Sequence, residues 1–228
     1  MHSNMRIPLA KTGIYACGVS QQTAVASAKP GTAKQENSRL VDLYRFLLAE
    51  KVNIFTKELS LIKDMEILSF TEKVINNFPQ EFWYKPASST GKYHSKTSAG
   101  EGGLVEHTKL MFWIAKTMLD TKMYDVNPDI VLSACLLHDG WKYDGTSKWT
   151  VRNHGLLAVK EIDRIMEESG FFFNEEPLWY QIILDCVQAH NGFFTKEWTG
   201  GFSLYQIIVH TADMIGSRRF IDFNSQGV

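Results

Sequence analysis

No run of about 18 apolar residues occurs in this chain of 228 residues, so no segment has the length and hydropathy of a membrane-spanning helix. Charge of either sign is not in excess: 24 basic residues face 25 acidic ones, for a net charge of −1. The overall balance therefore gives no footing for non-specific nucleic-acid binding, although a local basic groove is compatible with it. Cysteine is scarce, with Cys17, Cys135 and Cys186 far apart and no CxxC pair. Two of the three fall in apolar helical runs, which predicts reduced core residues and a cytoplasmic, reducing setting. Acidic residues are missing from the first 35 positions, which hold four basic residues and much Ala, Ser, Thr and Gly. "AVASA" there resembles a processing site, but no apolar core of signal-peptide length precedes it. Residues 1–37 are expected to form a flexible extension. Strand-like alternation and internal repeats are also missing.

What is present is helical periodicity. An apolar fraction of 44% with 21% charged residues suits a globular domain with a real core. From Ser38 onward, "SRLVDLYRFLLAEKVNIFTKELSLIK" places Leu40, Leu43, Tyr44, Leu47 and Leu48 at helical spacing. "SFTEKVINNF" is a short amphipathic helix stopped by Pro79. Residues 79–103, with two prolines and four glycines, are expected to be one long loop. A loop of that length is more often functional or mobile than idle. Further helices are expected at about 104–121, from Pro128 to the "HD" of 138–139, at about 154–169 with Asn153 as N-cap, at about 177–190, and at about 202–219. The fold class is all-α, with a helical domain over 38–228.

Four histidines lie on the apolar faces of these helices. His107 shares its face with Leu104, Met111, Ile114 and Met118, and His138 follows Ala134 and Cys135. His154 opens a helix whose inward side carries Leu157, Ala158, Ile162 and Ile165. His190 continues the face of Trp179, Ile182, Ile183 and Cys186. One such histidine is most often a hydrogen-bonded core residue. Four of them, with Asp139 and Asp213, make the ligand set of a Zn, Fe or Mn site, and a divalent ion offsets the cost of burying Asp139.

The order His107, then His138–Asp139, then Asp213 resembles the H…HD…D signature of the HD-domain superfamily. "GGLVEHT" at 102–108 resembles the family's start, "LLHDGWK" its doublet with a following lysine, and "HTADMIGSRR" at 210–219 its closing helix. The likeness covers about residues 80–220. "HDGWK" departs from the commoner "HDIGK" in carrying tryptophan where glycine precedes the lysine. The resemblance implies an HD-type helical bundle with a long loop before the first ligand-bearing helix. It makes His107, His138, Asp139 and Asp213 ligands of one metal ion. His154 and His190 match the extra histidines of dinuclear members, with Asp139 bridging; His154 could instead act on substrate. The expected cofactor is a divalent transition metal, two ions of Mn, Fe, Co, Ni or Zn, with Mg possible.

The implied activity is that of a metal-dependent phosphohydrolase or phosphodiesterase, acting on a nucleotide or nucleic-acid end through a metal-activated hydroxide. Lys142 is a candidate phosphate contact or a helix-end cation. Arg218 and Arg219 are candidates for a bidentate phosphate pair or for the surface. In "KYHSKTSAGEGG", Lys92, Tyr93, His94 and Lys96 come within reach of the pocket, and His94 is the candidate substrate residue. His210 is placed to support a ligand or to touch substrate. Phe82, Trp83, Tyr84, Trp141 and Trp149 belong either to a base-stacking surface or to the core. Two other readings stay open: a diiron oxygenase of the same superfamily, and a non-catalytic metal-binding regulatory module.

Overall fold

A computed structural model of the chain describes residues 52–90, 94–146, 148–172, 175–192 and 201–221. Backbone contacts divide the chain into Met1–Asp42 and Leu43–Val228. The first unit lies outside the described residues, as do the extension expected over 1–37, Cys17, Lys92 and Tyr93, and most of the helical pattern that starts at Ser38.

Eight α-helices are complete among the described residues, and no strand occurs there. They are α1 (Thr56–Leu59), α2 (Met65–Asn76), α3 (Gln80–Tyr84), α4 (Gly103–Asp120), α5 (Pro128–Leu137), α6 (His154–Ser169), α7 (Leu178–Ala189) and α8 (Leu204–Gly216). The architecture is all-α. The centre of the bundle is α5, whose residues from Asp129 to Leu137 are all buried. A helix that is apolar on every side has to be enclosed; here α2, α4, α7 and α8 pack around it. Asn127 caps its first turn, accepting from the Asp129 amide at 3.0 Å, and Pro128 occupies the first helical position, where no N–H is needed. The buried Asp129 carboxylate in turn accepts from the amides of Lys63 (3.0 Å) and Asp64 (2.7 Å), fixing the entry to α2.

Helix boundaries follow the periodicity closely for α4 to α8. Asn153 does precede α6, but its side chain makes no capping bond. The segment 79–103 is not one open loop, and the difference has an apolar cause. Phe82, on α3, packs against Phe78 at 4.5 Å and Trp83 at 5.0 Å between ring centroids. Phe55 joins them at 6.2 Å from Phe82. The remainder is closed by backbone bonds from Ala87 N–H to Ser98 C=O (2.9 Å) and from Gly102 N–H to Tyr84 C=O (2.9 Å), around a 3-10 turn at Thr97–Ala99. Phe82 and Trp141 are therefore core residues, not a stacking surface, whereas Tyr84 and Trp149 are exposed. Cys135 and Cys186 are free thiols in the core.

The departure at "HDGWK" has its place in the same cluster. Trp141 meets Phe78 edge-on at 5.3 Å, and a Cβ at Gly140 would lie 2.4 Å from the Phe78 ring. The turn after the doublet thus presses directly on the aromatic cluster. Gly140→Ala is expected to destabilise the protein by about 1–3 kcal/mol through this overlap. Chemical denaturation of the metal-free protein should show a lower midpoint with an unchanged slope.

Candidate metal centre

Five helices meet around Asp139, three of them by an end. Two of them arrive C-terminus first: His138 is the C-cap of α5 and His190 the C-cap of α7. The negative ends of these two helix dipoles therefore face the same region, which favours a cation there. His154 arrives from the first residue of α6, and His107 and Asp213 from within α4 and α8.

Three of the histidines are oriented in the same way. Nδ1–H of His138 donates to Cys135 C=O (2.8 Å), that of His154 to Val151 C=O (2.8 Å), and that of His190 to Val187 C=O (2.6 Å). A carbonyl can only accept, so Nδ1 carries the proton and Nε2 presents its lone pair in the neutral ring. Those Nε2 atoms converge on one carboxylate. His154 Nε2 lies 3.0 Å and His190 Nε2 3.5 Å from Asp139 Oδ1. On the other oxygen, His138 Nε2 lies 3.1 Å and His107 Nε2 3.7 Å from Asp139 Oδ2. Asp213 Oδ1 stands 3.0 Å from His107 Nε2.

This arrangement fits divalent metal. The two groups whose ligand atoms gather within 4.8 Å are His107–His138–Asp139 and Asp139–His154–His190, all buried. In the second group, Nε2 of His154 and Nε2 of His190 stand 3.0 Å apart, facing a carboxylate oxygen, with Nδ1–H of each ring already spent on a backbone carbonyl. Acceptors held that close repel one another, and a cation between them reverses the sign. His138 Nε2, Asp139 Oδ1 and His107 Nδ1 are buried without a hydrogen-bond partner, a cost that ligation removes at the first two.

Charge in the metal-free centre is already biased toward a cation. Burial by itself raises the pKa of Asp139, but His138 and Lys142 outweigh it and hold the carboxyl well below the usual range. Burial likewise raises Asp213, and its hydrogen bond with His107 reverses that. Burial lowers His107 and His190, keeping both neutral. His138 moves the other way: burial lowers it, and the adjacent Asp139 carboxylate raises it further than that. A proton on His138 and the Lys142 ammonium, 2.6 Å from Asp139 Oδ2, are what oppose the carboxylates without metal. Metal binding displaces such protons.

All six residues expected as ligands are thus brought together. Lys142 reaches the centre through Asp139. His94 is buried, not on an exposed loop, with its ring edge-on to His107 at 4.7 Å, Nδ1 unpartnered, and its pKa pushed down by burial to about 3. Arg218 is exposed just beyond α8, and its guanidinium makes no hydrogen bond or ion pair among the described residues. His210 supports the site: its Nδ1–H donates to His190 C=O at 2.6 Å. Sequence reasoning missed Asn191, whose Nδ2 lies 3.1 Å from His154 Nε2. "AHNG" marks only a helix stop unless the asparagine is read together with the histidine before it. It also missed Gly155, where a Cβ would meet Gln188 C=O and Val187 C=O at 2.8 Å.

An all-α bundle with buried histidines and aspartates joined through one shared carboxylate defines a helical metal-binding domain. Residues 104–215 match the family model of the HD domain, which identifies this stretch of the chain as an HD domain. HD domains bind divalent metals and form a superfamily of metal-dependent phosphohydrolases. Searches of curated proteins and of solved structures gave no match.

The two groups predict separable losses of metal. Elemental analysis after reconstitution should give two equivalents for the native protein and about one for His190→Ala, with both lost in Asp139→Ala. Gly155→Ala touches no ligand atom, yet it should also reduce the content toward one equivalent, because it forces α6 from α7 and so His154 from His190.

Proposed function

We propose that the protein is a metal-dependent phosphohydrolase or phosphodiesterase acting on a phosphate ester of a nucleotide or a nucleic-acid end. The observation that carries this reading is the convergence of four buried imidazole Nε2 atoms on both oxygens of Asp139, the carboxylate shared by two groups of metal-ligating residues. Bound there, two divalent ions would lower the pKa of a water molecule and neutralise charge growing on phosphorus. The ligands under this proposal are His107, His138, Asp139 and Asp213 for one ion, and Asp139, His154 and His190 for the other.

The chain's own residues complete the chemistry. Lys142 lies 2.6 Å from Asp139 Oδ2, so its ammonium is within a side chain's swing of a phosphate held at the centre. His94 is neutral at physiological pH, since burial pushes its pKa to about 3. It therefore meets substrate as a hydrogen-bonding ring and not as a cation. Arg218, exposed five residues after Asp213, supplies a charge for a phosphate further along the substrate. Support for a base-bearing substrate comes from Trp149. It is 53% exposed, has the Lys148 ammonium 5.0 Å from its ring centroid, and stands two residues before Val151, whose carbonyl orients His154.

The reading is tested by loading the protein with Mn, Fe, Co, Ni or Zn and offering aryl phosphate monoesters and diesters, nucleotides and short oligonucleotides. Metal-dependent release of phosphate, or scission of a diester, supports it. A fully loaded protein that hydrolyses none of them overturns it. For a substrate so found, Lys142→Ala should lower kcat/KM by about 10- to 100-fold, the loss of one hydrogen bond to a charged oxygen, with metal content unchanged.

A further inference from the structure

We infer that Asn191 is a substrate-binding residue of this centre, a carboxamide donor released toward a phosphate oxygen when His154 takes up metal. This deepens the reading of a metal-dependent phosphohydrolase and rests on it. The chemistry follows from a hydrogen bond that cannot survive loading. His154 spends Nδ1–H on Val151 C=O at 2.8 Å, so the one acceptor it offers Asn191 Nδ2, 3.1 Å away, is the Nε2 lone pair. A ring nitrogen has a single lone pair, and a metal ligand uses it. Once His154 is a ligand, the Asn191 N–H has lost its partner beside the position of the second ion.

The backbone holds the carboxamide there. Asn191 follows the C-cap of α7, where His210 Nδ1–H fastens the His190 carbonyl at 2.6 Å. The next residue, Gly192, has φ +58°, and a Cβ on it would lie 2.5 Å from the His210 ring. The imidazole of His210 stacks on Phe202, 5.9 Å between centroids with planes at 19°. The main chain before Asn191 is therefore held by a hydrogen bond, and the glycine after it lies close against the His210 ring. Asn191 is half-buried, beside the enclosed imidazole of His154.

The freed N–H needs an acceptor, and the entering group that supplies one is an oxygen of the substrate or product phosphate. A hydrogen bond to a charged oxygen is stronger than the one to a neutral imidazole that it replaces. The same donor has no favourable use for an apolar ligand, so it contributes selectivity for phosphate as well as affinity.

The test is binding of inorganic phosphate to the metal-loaded protein, measured by calorimetry beside metal content, with Asn191→Ala and Asn191→Asp. Both variants are expected to keep two equivalents of metal. Phosphate should bind about tenfold more weakly to Asn191→Ala, and more weakly again to Asn191→Asp, whose carboxylate can only accept. Equal phosphate affinity in the native protein and Asn191→Ala would overturn the inference while leaving the hydrolase reading intact. Loss of a metal equivalent in Asn191→Ala would overturn it too, by making Asn191 part of the metal's support. If the loaded native protein binds no phosphate, the hydrolase reading fails and the inference falls with it.

Discussion

A buried carboxylate at the end of an apolar helix has to be compensated, and the structure around Asp139 is the compensation. Nothing in the core can solvate it, so it must be matched by hydrogen bonds and opposite charge. Four imidazoles and one ammonium surround it. The imidazoles are of limited use as counter-charges: burial holds His107 and His190 neutral, and three rings have committed Nδ1–H to backbone carbonyls. The neutral His190 ring points an acceptor at an acceptor. Such an arrangement is frustrated as a hydrogen-bond network and satisfied as a coordination shell. The ends of α5 and α7 reinforce that preference, because both offer the negative end of a helix.

The fold supplies this geometry through close approaches, not through long-range charge. Gly155 brings the start of α6 against the carbonyls of Val187 and Gln188, and the Val187 carbonyl is also the one that orients His190. One contact thus sets both the separation of His154 from His190 and the tautomer of His190. On the opposite side, Gly140 and Trp141 seat the turn after the doublet on Phe78, so Asp139 and Lys142 are positioned by an aromatic cluster that includes Phe82 and Trp83. Tryptophan in the doublet's turn is therefore accommodated in the core, and Lys142 keeps its three-residue offset from Asp139.

What was legible in the sequence is what helical periodicity carries. The bounds of α4 to α8, the inward faces of His107, His138, His154 and His190, and the order of the motif were all readable, because each depends on neighbours within one or two turns. The aromatic packing that folds Gln80–Tyr84 into a helix was not, since it depends on Phe55 and Phe78 meeting Phe82 and Trp83 across the chain. His94 looked like a loop residue because its burial against His107 is a tertiary fact. Asn191 was hidden for a similar reason: its partner is 37 residues away, on another helix. Gly155 read as an ordinary second residue of a helix, with no local sign of the carbonyls it faces.

The two halves of the centre are not equivalent, and the difference follows from charge. The half with His107 and His138 has both Asp139 and Asp213, while the half with His154 and His190 has only the carboxylate that the two share. Lys142 and the proton that His138 gains oppose Asp139 on its Oδ2 side; Oδ1 faces His154 and His190, of which burial keeps His190 neutral. An ion in the first half must displace a proton and weaken an ion pair, but meets two negative groups. An ion in the second half would meet less charge and less competition, and Asn191 stands beside its position. By charge alone, the first half offers an ion more attraction, and the second asks it to displace less.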